Sequence, residues 1–523
     1  MSVDDGRPPA PQTPFAASTR PGHPASLPSD AMPLPRVTAA AALAVVGATT
    51  ATGAELAAGR VGPPPWAFTF TDWAGAWSRA GISPVLTPWP GRVLAVSLLV
   101  LVGCFVLLVE LVRRGELGAR AVAAIGTAWA VPVTLGPPML SNDVYSYVAQ
   151  GAVAASGSDP ARVAPVALGA RSILLAAVDP RWRETVSPYG PLATGLQRGL
   201  ASLAPGHPVV AVLAWRLVVL LSVVVIALCV RSLARLRVGD SRDDAVVLAL
   251  TWANPLLLLH LLAAAHVDAV MVALLTLGVR AVVAGTPAGR ALAAVLFASA
   301  GAVKLPALVA LAVVVTAGPP LAHRARVAWA AGAAVLLAAT WYVWSLLAGS
   351  GGDVLAAVRT PAEGRTLVAP GTLLADLLTP LRWAGLADGD QLLAAGRVVA
   401  ALAGVAVLGI LLATANRRSA ATTVGLSLLT FALAAPVLYP WYLAWNVPLL
   451  AVGARGRNAS RLAVVSAVGA LLCVQGLTRA GTIVLVVVVV TGVAAWWAHV
   501  EGWTVRAFAA LRPYVADPAQ ARR

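Results

Sequence analysis

Charge is scarce in this 523-residue sequence: 11% of its residues are Asp, Glu, Lys or Arg, against about 25% in a soluble globular protein. So little charge over so long a chain excludes an ordinary water-soluble globule. Cysteine is scarcer still. Cys104, Cys229 and Cys473 each fall inside an apolar run, where a thiol behaves as a small hydrophobe, so neither a disulfide framework nor a Cys-based metal site is supported. Of the 38 Lys and Arg residues only one, Lys304, is a lysine. A glycine-rich phosphate loop is missing, which removes a nucleotide site of that kind. Strand-like alternation is missing too, which removes a transmembrane barrel.

What the chain does have is hydrophobic residues, 59% of the total, in runs long enough to cross the roughly 30 Å hydrocarbon layer. Backbone polar groups must pair internally in lipid, so these runs are helices and the fold class is all-α, polytopic and membrane-embedded. The net charge of +16 resembles that of a nucleic-acid binder, yet it gathers in short connectors: Arg113, Arg114 and Arg120; Arg231, Arg235, Arg237 and Arg242; Arg324 and Arg326; Arg417 and Arg418; Arg455, Arg457 and Arg461. Short basic connectors stay cytoplasmic during insertion, so the charge is a topology signal with some attraction to anionic headgroups, and no nucleic-acid partner is implied.

With basic loops inside, the expected spans are 37–57, 91–112, 120–140, 208–230, 244–262, 267–285, 327–348, 394–414, 420–438, 441–453, 461–476 and 481–499. The stretch 291–318 has basic flanks on both sides, which one crossing cannot satisfy. Two half-length helices meeting at Lys304-Leu305-Pro306 can, because proline breaks the ladder. The count is then about 13–14 membrane helices with both termini inside. Segments 58–90, 141–207 and 349–393 lie outside, and 143–155 and 371–379 read as interfacial helices. Trp66, Trp73, Trp77 and Trp89 suit an aromatic belt. Residues 1–36, with nine prolines, read as a disordered cytoplasmic tail, 37–499 as the membrane domain, and 500–523 as a cytoplasmic C-terminal tail.

Asp143 follows the third span in Ser141-Asn142-Asp143. One of these three residues caps the following helix on the plainer reading; on the functional one, Asp143 is a general base where headgroups meet water. Lys304 at a helix break is either a snorkelling lysine or a phosphate ligand. His266 and Asp268 sit at an outward turn. Asp268 could cap the next helix, and the two residues do not share a helix face, so hydrogen bonding to a sugar is favoured over a metal pair. Arg216 within a span and Arg479 in an outward loop are further candidates for neutralising phosphate. Two aromatic-proline clusters, Ser187-Pro188-Tyr189-Gly190-Pro191 and Tyr439-Pro440-Trp441-Tyr442 with Trp445, suit a membrane boundary or sugar stacking.

The set SNDVYSYVAQG at 141–151, SPYGPL at 187–192, HVDAVM at 266–271, VKLPAL at 303–308 and YPWYLAW at 439–445 resembles the polyprenol-phosphomannose-dependent α-1,6-mannosyltransferases of actinobacterial lipomannan synthesis, in the GT-C superfamily. The resemblance implies a GT-C fold and an inverting transfer at the outer face of the plasma membrane. Mannose would leave a polyprenyl phosphomannose donor for the 6-hydroxyl of a mannosylated lipid, a phosphatidylinositol mannoside or lipomannan. It implies Asp143 as catalytic base and Lys304, with Arg216 and Arg479, on the donor phosphate. Tyr145, Tyr189, His266, Asp268, Trp441 and Tyr442 would contact sugar. It implies no organic cofactor, and Asn142, where some GT-C enzymes carry a second acid, weakens the case for a divalent metal. A GT-C enzyme for glucose or arabinofuranose and a transporter of lipid-linked sugars are the alternatives.

Overall fold

A computed structural model describes residues 34–61, 90–203, 205, 208–238, 241–317, 321–352, 364–366, 368–472 and 491–492. The remaining residues, which include residues 1–33 of the expected N-terminal tail, the whole expected C-terminal tail, Trp66, Trp73, Trp77, Trp89, Cys473, Arg479 and nearly all of the expected last span, lie outside that description; residues 34–36 of the expected tail instead begin the first helix. The described residues are all-α, and six helices are long and apolar enough to cross a membrane. The protein is an all-α polytopic membrane protein.

The helices that matter here are α1 (Leu34–Val61), α2 (Pro90–Arg113), α3 (Ala119–Leu135), α4 (Asp143–Ala155), α5 (Pro191–Leu203), α6 (Pro208–Val238), α7 (Ser241–Leu250), α8 (Asp268–Val283), α9 (Pro287–Val303), α10 (Ala312–Thr316), α11 (His323–Ala348), α12 (Pro370–Leu377), α13 (Gly389–Ala413), α14 (Ala420–Ala434) and α15 (Arg457–Leu471). The stretch Asp244–Ala263 is the innermost, 94% buried, whereas the apolar faces of α11 and α13 are only 6% and 17% buried and are left for lipid. The centre is therefore built from the middle of the chain, with α11 and α13 outside.

Three expected spans are corrected. The third ends at Leu135 rather than residue 140, because Pro137 and Pro138 cannot continue the ladder. The fifth, expected as one helix over 244–262, breaks after Leu250 and resumes as Pro255–Leu257 and a π-helical segment, Leu258–Ala263. Asn254 holds that break, its Oδ1 accepting Leu256 N–H at 2.9 Å while its Nδ2 donates to Ser466 Oγ at 2.8 Å. The expected span 441–453 is two short helices, Pro440–Leu443 and Val447–Ala451. Pro448 has no N–H to offer the Ala444 carbonyl.

The stretch around Lys304 is a hairpin. Thr286 caps α9, accepting Gly289 N–H at 3.0 Å, with Pro287 at the first helical position. The helix stops at Lys304, whose backbone is extended (φ −154°, ψ 126°) ahead of Leu305-Pro306. A 3-10 segment, Leu305–Leu311, and α10 then return toward the start of α9, where Arg290 donates to the Val314 and Ala317 carbonyls at 2.6 and 2.7 Å. Lys304 is at the apex. At the opposite end of the neighbouring α8, Arg280 donates to Ser232 Oγ at 3.0 Å, and on α6 Arg231 and Arg235 pair with Asp244. Arg280 stands 12 positions after Asp268 on α8, about 18 Å along the helix.

Candidate active site

Asp143 opens α4, but capping is not its task. The N-cap is Asn142, which makes no side-chain capping bond, and Asp143 N–H donates instead to Ser141 Oγ at 3.2 Å. The carboxylate is left at the cavity wall, with His266 Nε2 at 3.6 Å. His266 is fully buried. Its Nδ1 donates to the His260 carbonyl, and its Nε2 pairs with the Ser141 hydroxyl at 3.0 Å. Ser141 thus accepts from the Asp143 amide and pairs with the imidazole. Trp441 stacks on that ring, centroids 4.1 Å apart. Two non-glycine residues among those described have positive φ, Leu140 (66°) and Ala265 (55°), and they immediately precede Ser141 and His266. Such strain, about 1–3 kcal/mol each, gathers where a site demands it.

Asp268 repeats the pattern at the start of α8. Val267 is the N-cap and no side chain caps this end. The fully buried Asp268 Oδ1 accepts from Lys304 Nζ at 2.9 Å and from Trp445 Nε1 at 2.6 Å. The Lys304 ammonium lies 4.8 Å from the Tyr442 ring centroid, 5.0 Å from that of Trp445 and 5.8 Å from that of Tyr189. An ammonium has three protons to donate, and the carboxylate takes one. The apex of the α9–α10 hairpin therefore presents a fixed cation with donors to spare, steadied by one buried carboxylate and three rings.

A cavity of about 600 Å³ connects these groups. Its polar part has Asp143, Ser146, Tyr147 and Gln150 from α4, then Tyr189, Lys304 and Tyr442. Desolvation pushes the Tyr147 and Tyr189 phenols well above their usual range, so both are neutral hydroxyls; their oxygens are 3.4 Å apart. Gly190 N–H donates to the Val303 carbonyl at 3.2 Å, and a Cβ there would collide with the Ala302 carbonyl, so only glycine seats this loop against the end of α9. The rim segment before it is tied by Arg181, which donates to Asp179 at 2.9 and 3.0 Å and holds that carboxyl below its ordinary range. The other part of the cavity is apolar: Ala401, Gly404, Val405 and Leu408 of α13, with Phe431 and Ala434 of α14. Val405 is 70% exposed and Phe431 42%, so this groove opens sideways between two lipid-facing helices.

Of the expected site residues, Asp143, Lys304, Tyr189, Trp441 and Tyr442 line one cavity. His266 and Asp268, expected to contact sugar, stand behind its wall and bear on Asp143 and Lys304. Arg216, expected at the donor phosphate, is fully buried and absent from the lining. It donates to the carbonyls of Thr134, at 3.0 Å, Gly136 and Ala263, at 2.6 Å. Tyr145 is also outside the lining, facing the side where Arg216 and Glu55 lie. Arg479 lies outside the described residues. Sequence reasoning missed Tyr147 and Gln150, although helical spacing from Asp143 would have found them. It also missed Glu55, a buried acid on α1 beside Arg216, which its position within an apolar span could have flagged. Among the described residues no group of three or more His, Cys, Asp or Glu is placed to hold a metal ion.

A carboxylate and an ammonium across one cavity, with a groove that opens toward lipid, lie within a multi-pass membrane protein. A family model described as alpha-(1->6)-mannopyranosyltransferase, N-terminal domain, matches residues 39–319, and one described as MptB C-terminal domain matches 366–501. The chain belongs to this alpha-(1->6)-mannopyranosyltransferase family and is a hexosyltransferase. It is 32% identical over 395 residues to a protein of Mycolicibacterium smegmatis named as a probable alpha-(1->6)-mannopyranosyltransferase, covering 65% of this chain and 67% of that one. Over 412 residues it is 29% identical to alpha-(1->6)-mannopyranosyltransferase A of Mycobacterium tuberculosis, covering 73% and 74%. A further alpha-(1->6)-mannopyranosyltransferase of Mycobacterium tuberculosis is 43% identical over 152 residues, which is 29% of this chain and 25% of that relative. No solved structure matches the chain.

Proposed function

We propose that the protein transfers mannose from polyprenyl phosphomannose to the 6-hydroxyl of an α-1,6-mannan chain on a lipid anchor, at the outer face of the plasma membrane. The observation that carries the donor class is the continuity of the cavity. One end offers a fixed ammonium to a phosphate, and the other is an apolar groove open between α13 and α14, where a polyprenyl chain remains in lipid while its head enters. The outward orientation is supported by the basic cluster of Arg231, Arg235 and Arg280 at the far end of the bundle.

In the reaction the acceptor hydroxyl attacks the anomeric carbon, and the new C–O bond forms as the bond to the phosphate oxygen breaks. The hydroxyl proton passes to Asp143, and the electron pair leaves on polyprenyl phosphate, beside Lys304. Displacement from the face opposite a β-linked phosphate gives the α product. His266 and Ser141 orient the base, and Asp268 holds the cation. The test is transfer of labelled mannose from polyprenyl phosphomannose to an α-1,6-mannoside in membranes carrying the protein, with Asp143→Asn alongside. Transfer that the substitution abolishes supports the reading. Full activity of the variant removes Asp143 as base, and sugar translocation without a new glycosidic bond removes the transferase.

A further inference from the structure

Gln150 stands two turns after Asp143 on α4, so Asp143, Ser146, Tyr147 and Gln150 form one stripe at helical spacing, and all four reach the cavity. Gln150 is 4% exposed, and the proposed reaction gives it no task. Its Oε1 accepts from Ser187 Oγ at 3.2 Å and from Gln197 Nε2 at 3.3 Å. Proton accounting favours this orientation of the amide. Ser187 Oγ already accepts the Tyr189 N–H at 3.4 Å, so its own proton needs an acceptor, and the Gln150 oxygen supplies one. The NH2 group is then the end of Gln150 left for the cavity. Among the described residues it has no acceptor, and a ligand hydroxyl in the cavity would supply one.

We propose that Gln150 is a specificity-determining residue whose NH2 group donates to a hydroxyl of a bound hexose, held in place by Ser187 and Gln197. This rests on the glycosyl-transfer reading above. A neutral donor on the stripe that begins with the Asp143 carboxylate suits an uncharged hydroxyl better than a second anion, and the donor phosphate already has Lys304. Gln150 lies about 10 Å along the helix from Asp143, within reach of either the transferred sugar or the sugar that bears the attacking hydroxyl.

The experiment pairs wild-type protein and Gln150→Leu, in membranes, with monodeoxy analogues of the donor mannose and of the acceptor mannoside. One deoxy position is expected to lower kcat/KM of the wild type by about tenfold. Gln150→Leu should show the same loss on the native substrates and no further loss with that analogue. A sensitive donor analogue assigns the hydroxyl to the transferred sugar; a sensitive acceptor analogue assigns it to the acceptor. Gln150→Met keeps the length and bulk of the side chain without its donor and should behave as Gln150→Leu does, which separates lost donation from lost packing. The deoxy series on the wild type needs no variant to fold. Equal losses from Gln150→Leu with every analogue, or a wild type indifferent to every deoxy position, overturns the proposal while native transfer leaves the transferase reading standing. If the wild type transfers no mannose at all, both fall.

Discussion

Removing the carboxylate of Asp268 is the sharpest test of how this site is held. Its oxygen lies 2.9 Å from Lys304 Nζ, and the two side chains are 0% and 16% exposed. At that distance the attraction is about 6 kcal/mol with an effective dielectric of about 20, offset by the desolvation of both groups. Breaking such a pair from one side costs about 3–5 kcal/mol, because the remaining charge stays buried without its partner. Asp268→Asn preserves shape and can still accept the Trp445 N–H, so the loss it reports is that of charge. Asp268→Asn and Lys304→Met are each expected to lose that much stability. The double variant should lose less than their sum by about 2 kcal/mol, the signature of one shared interaction. Denaturant unfolding in detergent reads the stability cycle. The KM for the lipid-linked donor reads the second consequence: an ammonium no longer anchored forfeits a charge-assisted bond to phosphate, about 1.5–3 kcal/mol, and KM rises roughly 10- to 100-fold. Additive stabilities in the cycle, or an unchanged donor KM in Asp268→Asn, would refute the reasoning that the carboxylate positions the cation.

Three further outcomes are expected. Asp143→Asn should lower kcat by about 10²- to 10⁴-fold while stability stays within about 0.5 kcal/mol of wild type, because the carboxylate caps nothing; paired rate and unfolding measurements check this. Val405→Trp and Ala401→Trp place bulk in the groove between α13 and α14. Transfer from long-chain polyprenyl donors should fall several-fold while that from short-chain donors is retained, and equal effects on both would remove the groove as the chain's seat. Arg216→Met deletes a guanidinium that donates to three carbonyls and should cost about 3–5 kcal/mol of stability, with donor KM unchanged in whatever protein remains folded; a raised donor KM would restore Arg216 to the phosphate.

What was legible in the sequence tracks what lipid enforces. A helix in a bilayer must satisfy its backbone along its own length, so apolar runs betray α2, α6, α11 and α13 directly. The charge balance of the flanks betrayed the hairpin at Lys304, and 143–155 was legible as a short helix at the membrane surface. Buried helices obscured more, because a stretch that touches only protein is free to break. Asp244–Ala263 breaks at Asn254, whose orphaned groups are met by Ser466, more than 200 positions away, and no local pattern announces that partner. The same limit explains the site. Asp143, Lys304 and the aromatics were visible as unusual residues in an apolar chain. That Asp268 serves Lys304, and that His266 stands behind Asp143, depends on how α8 meets α4 and α9, which spacing alone does not fix.

Arg216 shows what that packing accomplishes. It was expected at the phosphate because an ionised residue within a span should serve function. It instead grips the carbonyls of Thr134 and Gly136, just before the strained Leu140, and that of Ala263, just before the strained Ala265. Holding two residues at positive φ costs about 1–3 kcal/mol each, and hydrogen bonds to a charged group return about 1.5–3 kcal/mol each. Three such bonds act against both strains, less the cost of burying the guanidinium. The two strained residues place Ser141 and His266 within 3.0 Å of one another, and that contact lies directly behind Asp143. A cation remote from the cavity thus acts on the site by fixing the two turns that meet behind its carboxylate, and the buried charge that looked catalytic is better accounted for as the staple of a strained backbone.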